Sequence, residues 1–162
     1  MVKCKISWDT IHEDCSTLAK KVVAELETVN TIIGIAKGGL IPARILHEYI
    51  KPVNFLTVGV KLYEEDVRGD EVQIYQSLPS SNQIDPRYLG NILVVDDVCD
   101  SGKTFDFVTD MLFDTAWTPD KCGKIFTAAP YTKEGAPIKP YFHVREFPDE
   151  EWIVFPWENI DI

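Results

Sequence analysis

No stretch of this 162-residue chain approaches the roughly 20 apolar residues that a membrane-spanning helix needs, so a soluble protein is expected. Histidine is scarce. His12, His47 and His143 stand without a partner pattern and read as surface or satisfied residues rather than as catalysts. The cysteines, Cys4, Cys15, Cys99 and Cys122, show no C-x-x-C spacing and no neighbouring histidine pair. That argues against zinc and predicts reduced thiols in a cytoplasmic compartment. Met1 to Ile6 run straight into polar residues, which argues against a secretory leader. Positive charge is also short: 16 Lys and Arg stand against 26 Asp and Glu, a net charge of −10. A nucleic-acid surface normally presents a basic face, so nucleic acid is not the expected partner. A small phosphorylated ligand is still allowed, because backbone amides and a few cations bind phosphate locally. Familiar phosphate and nucleophile signatures are missing too. No G-x-G-x-x-G follows a strand, and Ser101 has no G-x-S-x-G elbow around it. Gly102-Lys103-Thr104 resembles the tail of a P-loop, yet Asp97 stands where that motif requires its first glycine.

What the chain does have is Asn91 to Thr104, N-I-L-V-V-D-D-V-C-D-S-G-K-T. Ile92 to Val95 are too few for a helix and rich in β-branching, as expected of a strand buried on both faces of a parallel sheet. Asp96, Asp97 and Asp100 follow at its C-terminal end, then Ser101, Gly102, Lys103 and Thr104 lead into an amphipathic helix running to about Ala116. Strand, small-residue loop and helix start, in that order, aim unpaired backbone N–H groups and the helix dipole at one spot. Carboxylates beside such a cradle would repel a bare phosphate. They suit a ligand that also carries hydroxyls or a divalent cation, and a sugar phosphate with magnesium meets both demands.

The remaining chain repeats the theme. Ser7 or Asp9 caps a predicted packing helix to about Thr28, with apolar residues from Ile11 to Leu26 at helical spacing. Trp8 is read as a core or rim aromatic. Thr31 to Ala36 is a short buried strand that enters Lys37-Gly38-Gly39, and a helix follows from Leu40 to Ile50. The two glycines allow close backbone approach to a ligand and positive φ. Val53 to Val60 is a third strand. From Lys61 to Gly90 the pattern breaks, with Val72, Ile74 and Leu78 hinting at an edge strand or hairpin around Arg68-Gly69-Asp70. A connection this long and polar suggests a lid. Gly123 to Ala129 is another strand and delivers Pro130 to Lys133 to the same sheet edge, where ligands of open parallel sheets bind. Lys133 can only donate hydrogen bonds, so facing a purine it favours a carbonyl at position 6 over an amine. Tyr141 to Phe147 is a weak strand candidate. In the tail W-I-V-F-P-W-E, Trp152 offers a stacking face for a base and Trp157 reads as packing.

Hydrophobic strand, two acids, two variable residues and D-[ST]-G-x-T resembles the ribose-phosphate signature of the type I phosphoribosyltransferases. The A-K-G-G loop is similar to that family's pyrophosphate loop, with Lys37 in place of the usual arginine. Tyr131 to Glu134 and the C-terminal tryptophan segment look like those of xanthine-guanine and hypoxanthine enzymes. The resemblance spans most of the chain in the right order. It implies one α/β domain over residues 1–162, a mostly parallel central sheet flanked by helices, with a flexible lid loop at 61–90 and a small base-binding hood at 130–162. Tyr63 and Arg68 are its candidate lid contacts. The implied activity joins a 6-oxopurine (guanine, xanthine or hypoxanthine) to the ribose of phosphoribosyl pyrophosphate, releasing pyrophosphate in purine salvage. By the same resemblance Ser101, Gly102, Lys103 and Thr104 hold the 5′-phosphate, while Asp96 and Asp97 take the ribose hydroxyls. Asp97 also reaches Mg2+, directly or through water. Lys37, Gly38 and Gly39 attend the pyrophosphate. Asp100 acts at N7 of the base as general base or orienting acceptor, and Lys133, Trp152 and the main chain of Ile153 recognise the base. Relatives commonly form homodimers or homotetramers. Two other readings stay open at this point: a non-catalytic regulator that senses phosphoribosyl pyrophosphate, and a same-fold transferase with a pyrimidine acceptor.

Overall fold

A computed structural model of the chain describes residues 2–63, 71–79, 83–114 and 123–158. Its elements are β1 (Val2–Lys5), α1 (Trp8–Glu25), β2 (Thr31–Ala36), α2 (Leu40–Ile50), β3 (Asn54–Tyr63), β4 (Glu71–Gln76), β5 (Ile92–Val95), β6 (Val98–Cys99), α3 (Lys103–Asp114), β7 (Ile125–Ala128), β8 (Tyr131–Lys133), β9 (Arg145–Phe147) and β10 (Glu151–Val154). The central sheet runs β4-β3-β2-β5-β7. β3, β2, β5 and β7 are parallel, and only β4, on the edge, is antiparallel. This is the mostly parallel α/β sheet that the buried strand runs imply.

Side-chain alternation divides the core into two layers. Ile32, Leu93 and Val95 face α1 and α2, packing with Ile11, Cys15, Leu18, Val22, Ala43 and Leu46. Ile33, Ile35, Ile92 and Val94 face the other way, onto Phe105, Val108 and Leu112 of α3. Every residue of β2 and β5 is buried; the one polar side chain in them, Thr31, is satisfied by donating its hydroxyl to the Leu89 carbonyl at 2.7 Å. The Ser7 side chain accepts from the backbone N–H of Thr10 at 3.0 Å and caps α1.

Several elements depart from the sequence reading. α1 stops at Glu25, and α3 starts at Lys103 and is described to Asp114. The strand expected over 53–60 continues to Tyr63 and pairs antiparallel with β4, so residues 61–63 and 71–76 of the expected lid are ladder. Residues 64–70 and 80–82, Arg68 among them, lie outside the described residues, as does Cys122. Pro130 to Lys133 is not a plain loop, because 131–133 form β8. The candidate strand over 141–147 shortens to β9, with Phe142 making only an isolated bridge to Ala128. β1 was not expected at all. It pairs in parallel with β10, Lys3 opposite Trp152 and Cys4 opposite Ile153, so the start of the chain holds the strand that carries the tail tryptophan.

A small sheet β6-β8-β9 links the hood to the centre. Beneath it Asp14, only 4% exposed, accepts from the Tyr131 hydroxyl at 2.9 Å and from the Arg145 guanidinium at 2.8 and 3.0 Å. Burial first, and then the Asp14 acceptor, drives the Tyr131 pKa upward and keeps the hydroxyl a donor. Trp157 stacks on Phe155 at 4.6 Å and meets half-exposed Trp8 at 5.7 Å, as a packing residue and a rim residue. Among the described residues no helix is long and apolar enough to cross a membrane.

Asp14→Ala should leave the buried Tyr131 hydroxyl without an acceptor and cost about 2–3 kcal/mol. Thermal unfolding should then shift down by roughly 5–10 °C. An unchanged midpoint would show that this network does not hold the hood.

Candidate active site

The site forms where the C-terminal ends of β2 and β5, neighbours in the sheet, release their loops side by side. The loop after β2 is Lys37-Gly38-Gly39, and the Ala36–Lys37 peptide is cis. The two glycines are required by the neighbouring loop rather than by their own dihedrals, since neither has positive φ. A Cβ on Gly38 would lie 1.9 Å from Oδ2 of Asp97, and one on Gly39 would lie 2.5 Å from the Val95 carbonyl oxygen. Gly102, at the start of α3, does have positive φ, +84°, and a Cβ there would meet the Ile138 carbonyl oxygen at 2.2 Å. Among the described residues no side chain caps α2 at Gly39; the N–H groups of Leu40 and Ile41 donate to the Lys37 and Gly38 carbonyls at 3.2 and 3.4 Å, beside exposed Lys37.

Asp96 and Asp97 fold back onto their own backbone. The N–H of Asp97 donates to Asp96 Oδ1 at 2.9 Å, and the N–H of Val98 donates to Asp97 Oδ1 at 2.8 Å. Burial, then the charge of Asp97, holds the Asp96 carboxyl well above the usual carboxylate range. Asp97 is pushed up to about 6, chiefly by burial, with Glu158 adding repulsion and the Val98 N–H opposing it. The two therefore ionise as a pair, the second against the charge of the first. Among the described residues no group of three or more His, Cys, Asp or Glu side chains could hold a metal ion. Two adjacent hard oxygen donors still fit Mg2+, which commonly takes one or two carboxylates and completes its shell with water and substrate oxygens.

Two cavities meet at this turn. One, of about 120 Å³, is lined by Asp96, Asp100, Ser101, Gly102, Thr104 and their neighbours at the start of α3. Lys103 is exposed at the first position of that helix, and its N–H donates to Ser101 Oγ at 3.4 Å. The other, of about 390 Å³, is lined by Asp97, Asp100, Lys133, Asp149, Glu151, Trp152, Ile153 and Glu158, with Val98 and Phe155. Asp100 borders both.

Strand pairing explains how Asp100 and Lys133 come to share a cleft. β6 and β8 run in parallel with Val98 opposite Tyr131 and Cys99 opposite Thr132, so Asp100 and Lys133 each come next along their strands. Thr132 Oγ1 donates to the Cys99 carbonyl at 3.2 Å and tightens that register. Lys133 is 8% exposed, and its ammonium donates to the carbonyls of Pro148 and Glu151. Those bonds take two of its three protons and steer the third. Trp152, 53% exposed, is the large aromatic face of the cleft. Ile153 is buried, and β10 pairs with β1 on one edge and borders the cleft. Cys99 is inert: its thiol donates to the Ile138 carbonyl and burial raises its pKa to about 11.

The structure therefore brings Asp96, Asp97, Asp100, Ser101, Gly102, Thr104, Lys133, Trp152 and Ile153 to two contiguous cavities. Gly38 lies against Asp97 between Lys37 and Gly39. Sequence reasoning missed Asp149, Glu151 and Glu158. An acidic run just before the tryptophan was the available signal.

A mostly parallel sheet flanked by helices, with two cavities gathered at its strand tips, is the type I phosphoribosyltransferase fold. The model of the phosphoribosyl transferase domain matches residues 7–159, and the chain belongs to this family of glycosyltransferase-type enzymes. It is similar to a purine phosphoribosyltransferase from Pyrococcus horikoshii Ot3, at 27% identity and TM-score 0.78, covering 100% of this chain and 98% of that one. It is also similar to a hypothetical protein from Neisseria gonorrhoeae with bound ppGpp, at 28% identity and TM-score 0.79, covering 99% of this chain and 91% of that one. The xanthine-guanine-hypoxanthine phosphoribosyltransferase of Helicobacter pylori shares the fold at 22% identity and TM-score 0.74, over 96% of this chain and 93% of that one.

The raised pKa of Asp97 has a consequence for stability. In the unfolded chain the group titrates near 3.8 and in the fold near 6. Its contribution is full below about 3.8 and is lost as the pH rises through about 6, because ionising it is disfavoured in the fold. Asp97→Asn, which keeps the acceptor for Val98, should therefore stabilise the metal-free protein at pH 7.5 by on the order of 2 kcal/mol. The gain should vanish near pH 4, in thermal unfolding with a chelator present. A gain that did not depend on pH would contradict the assignment.

Proposed function

We propose that this protein transfers the 5-phosphoribosyl group of phosphoribosyl pyrophosphate to N9 of a 6-oxopurine in purine salvage, with Mg2+ as cofactor. One observation carries this reading: Asp100 borders both the pocket at the start of α3 and the cleft that holds Lys133 and Trp152. With the 5′-phosphate seated at the helix start and the ring stacked on Trp152, the ribose spans the distance past Asp100, and its C1′ bonds to N9 as the C1′–pyrophosphate bond breaks. The purine phosphoribosyltransferase among the similar structures supports the same substrate class.

Ser101, Gly102 and Thr104 bind the 5′-phosphate through hydroxyl and backbone N–H groups at the α3 terminus, with Lys103 beside them. Asp96 and Asp97 accept hydrogen bonds from the ribose hydroxyls, and Asp97 holds Mg2+ together with ligand oxygens. When bound, that ion neutralises charge on the departing pyrophosphate. Lys37 and the N–H groups of Gly38 and Gly39 bind the same pyrophosphate. Asp100 accepts the N7 proton of the base or orients the ring. The third proton of Lys133 meets the 6-carbonyl, and Trp152 covers the ring.

Within the 6-oxopurines, the acceptor-rich cleft favours guanine. Asp149, Glu151 and Glu158 border it, and carboxylates accept from a 2-amino group but repel the 2-carbonyl of xanthine.

Incubation with phosphoribosyl pyrophosphate, magnesium and a panel of bases, followed by absorbance, tests the reading. Turnover is expected with guanine above hypoxanthine, and with xanthine least. Binding without turnover would favour a sensor of phosphoribosyl pyrophosphate instead, and turnover confined to pyrimidines would favour a different acceptor. Asp100→Asn should lower kcat by about 100-fold or more with little change in phosphoribosyl pyrophosphate affinity. An unchanged kcat would remove Asp100 from the chemistry.

A further inference from the structure

The ladder between β3 and β4 contains one irregularity, and it lies beside the site. Gly59 pairs with Gln76 and Val60 pairs with Ile74, so Tyr75 is the extra residue of a bulge. A bulge re-aims the side chain it carries. Here the ring of Tyr75 turns back over Gly59, where a Cβ would lie 2.4 Å from its Cε2. Gly59 is the register partner of Ala36 on β2. Crossing that strand, the Tyr75 hydroxyl donates to the Ala36 carbonyl oxygen at 2.7 Å. Half of the side chain (50%) stays exposed, so core burial does not account for this arrangement.

We propose that Tyr75 is a positioning residue for the pyrophosphate turn, an inference that rests on the phosphoribosyltransferase reading. Ala36 is the last residue before Lys37-Gly38-Gly39. A carbonyl oxygen and the N–H of the next residue belong to one rigid peptide plane. By fixing the Ala36 oxygen, the Tyr75 hydroxyl fixes the direction in which the Lys37 N–H and the start of the turn face the departing pyrophosphate. Three features far apart in sequence converge on that one bond: an unpaired residue in an edge strand, a glycine opposite it, and a strand-end carbonyl two strands away. Tyr75 touches neither ribose nor base, so its effect should be confined to the pyrophosphate side of the reaction.

Tyr75→Phe keeps the ring over Gly59 and removes only the hydroxyl. The KM for phosphoribosyl pyrophosphate and the inhibition constant of product pyrophosphate should both rise about five- to tenfold, the effect of one lost hydrogen bond. The KM for the base should not move, and the thermal midpoint should fall by no more than a few degrees, the cost of that single half-exposed bond. Gly59→Ala, which crowds the ring out from the other side, should reproduce the shift, and combining it with Tyr75→Phe should add little. Unchanged pyrophosphate constants in Tyr75→Phe, with a wild type that turns over, would overturn this inference and leave the function standing. An equal rise in both KM values with a lower midpoint would overturn it too, since that is what a merely structural tyrosine would give. A wild type that binds neither phosphoribosyl pyrophosphate nor pyrophosphate would remove the function and the inference together.

Discussion

The site depends on how tightly two loops share the tip of a parallel sheet. β2 and β5 are adjacent with Gly34 opposite Val95, so the chain leaving each must pass through nearly the same space. One loop surrenders its side chains. Gly38 lies where any Cβ would collide with Asp97, and Gly39 where it would collide with the backbone of Val95 and Asp96. The other loop gathers carboxylates. The spacing between the turn that would hold a pyrophosphate and the acids that would hold a ribose is thus set by backbone contact before any ligand arrives. Such preorganisation removes an ordering cost from binding and from the transition state.

The second determinant is how the hood is tied to that tip. The acidic turn does not end at Asp97; it continues as β6, which adds β8 in register and carries Asp100 and Lys133 forward together. Asp14 then anchors β8 and β9 to α1 through Tyr131 and Arg145. Lys133 returns to the carbonyls of Pro148 and Glu151, and β1 holds β10 in place. The base-side cleft is therefore assembled from segments spread over nearly the whole chain, although its chemistry comes from a few residues near the end.

This division explains what was legible in the sequence. β2 and β5 could be read because both faces are buried, which leaves uninterrupted apolar runs. The acids at 96, 97 and 100 and the small residues at 101–104 follow β5 within one turn, so local order revealed the pocket. Lys133 and Trp152 were readable as chemistry but not as geometry: β8 was taken for a loop. β1 left no mark, because V-K-C-K is mostly exposed and its partner, Val2 to Glu151, is nearly the full chain away. The glycine pair was expected in the turn between β2 and α2, where it lies, but for an incomplete reason. Ligand approach and positive φ were the expectation, whereas the local requirement is room for Asp97. Tyr75 was invisible, since a bulge is a property of pairing register rather than of composition.

Charge raises the sharper question of how so acidic a chain would bind a polyanion. Asp96 and Asp97 already resist ionisation, and Glu158 adds to the repulsion at Asp97. Among the described residues that line this cleft the one cation is Lys133, and two of its protons are committed to main-chain carbonyls. On the proposed function, attraction cannot come from the overall field of a chain with net charge −10. It must come from short-range groups: Lys37, Lys103, the N–H groups at the starts of α2 and α3, and a divalent ion arriving with the substrate. On that reading the same carboxylates that would repel a bare pyrophosphate would attract its magnesium complex, and a divalent ion nearby would favour their charged form. An acidic site is then no obstacle to binding phosphoribosyl pyrophosphate. On the proposed function it would select the metal-bound form of the substrate over the free polyanion, with groups the sheet has already fixed in position.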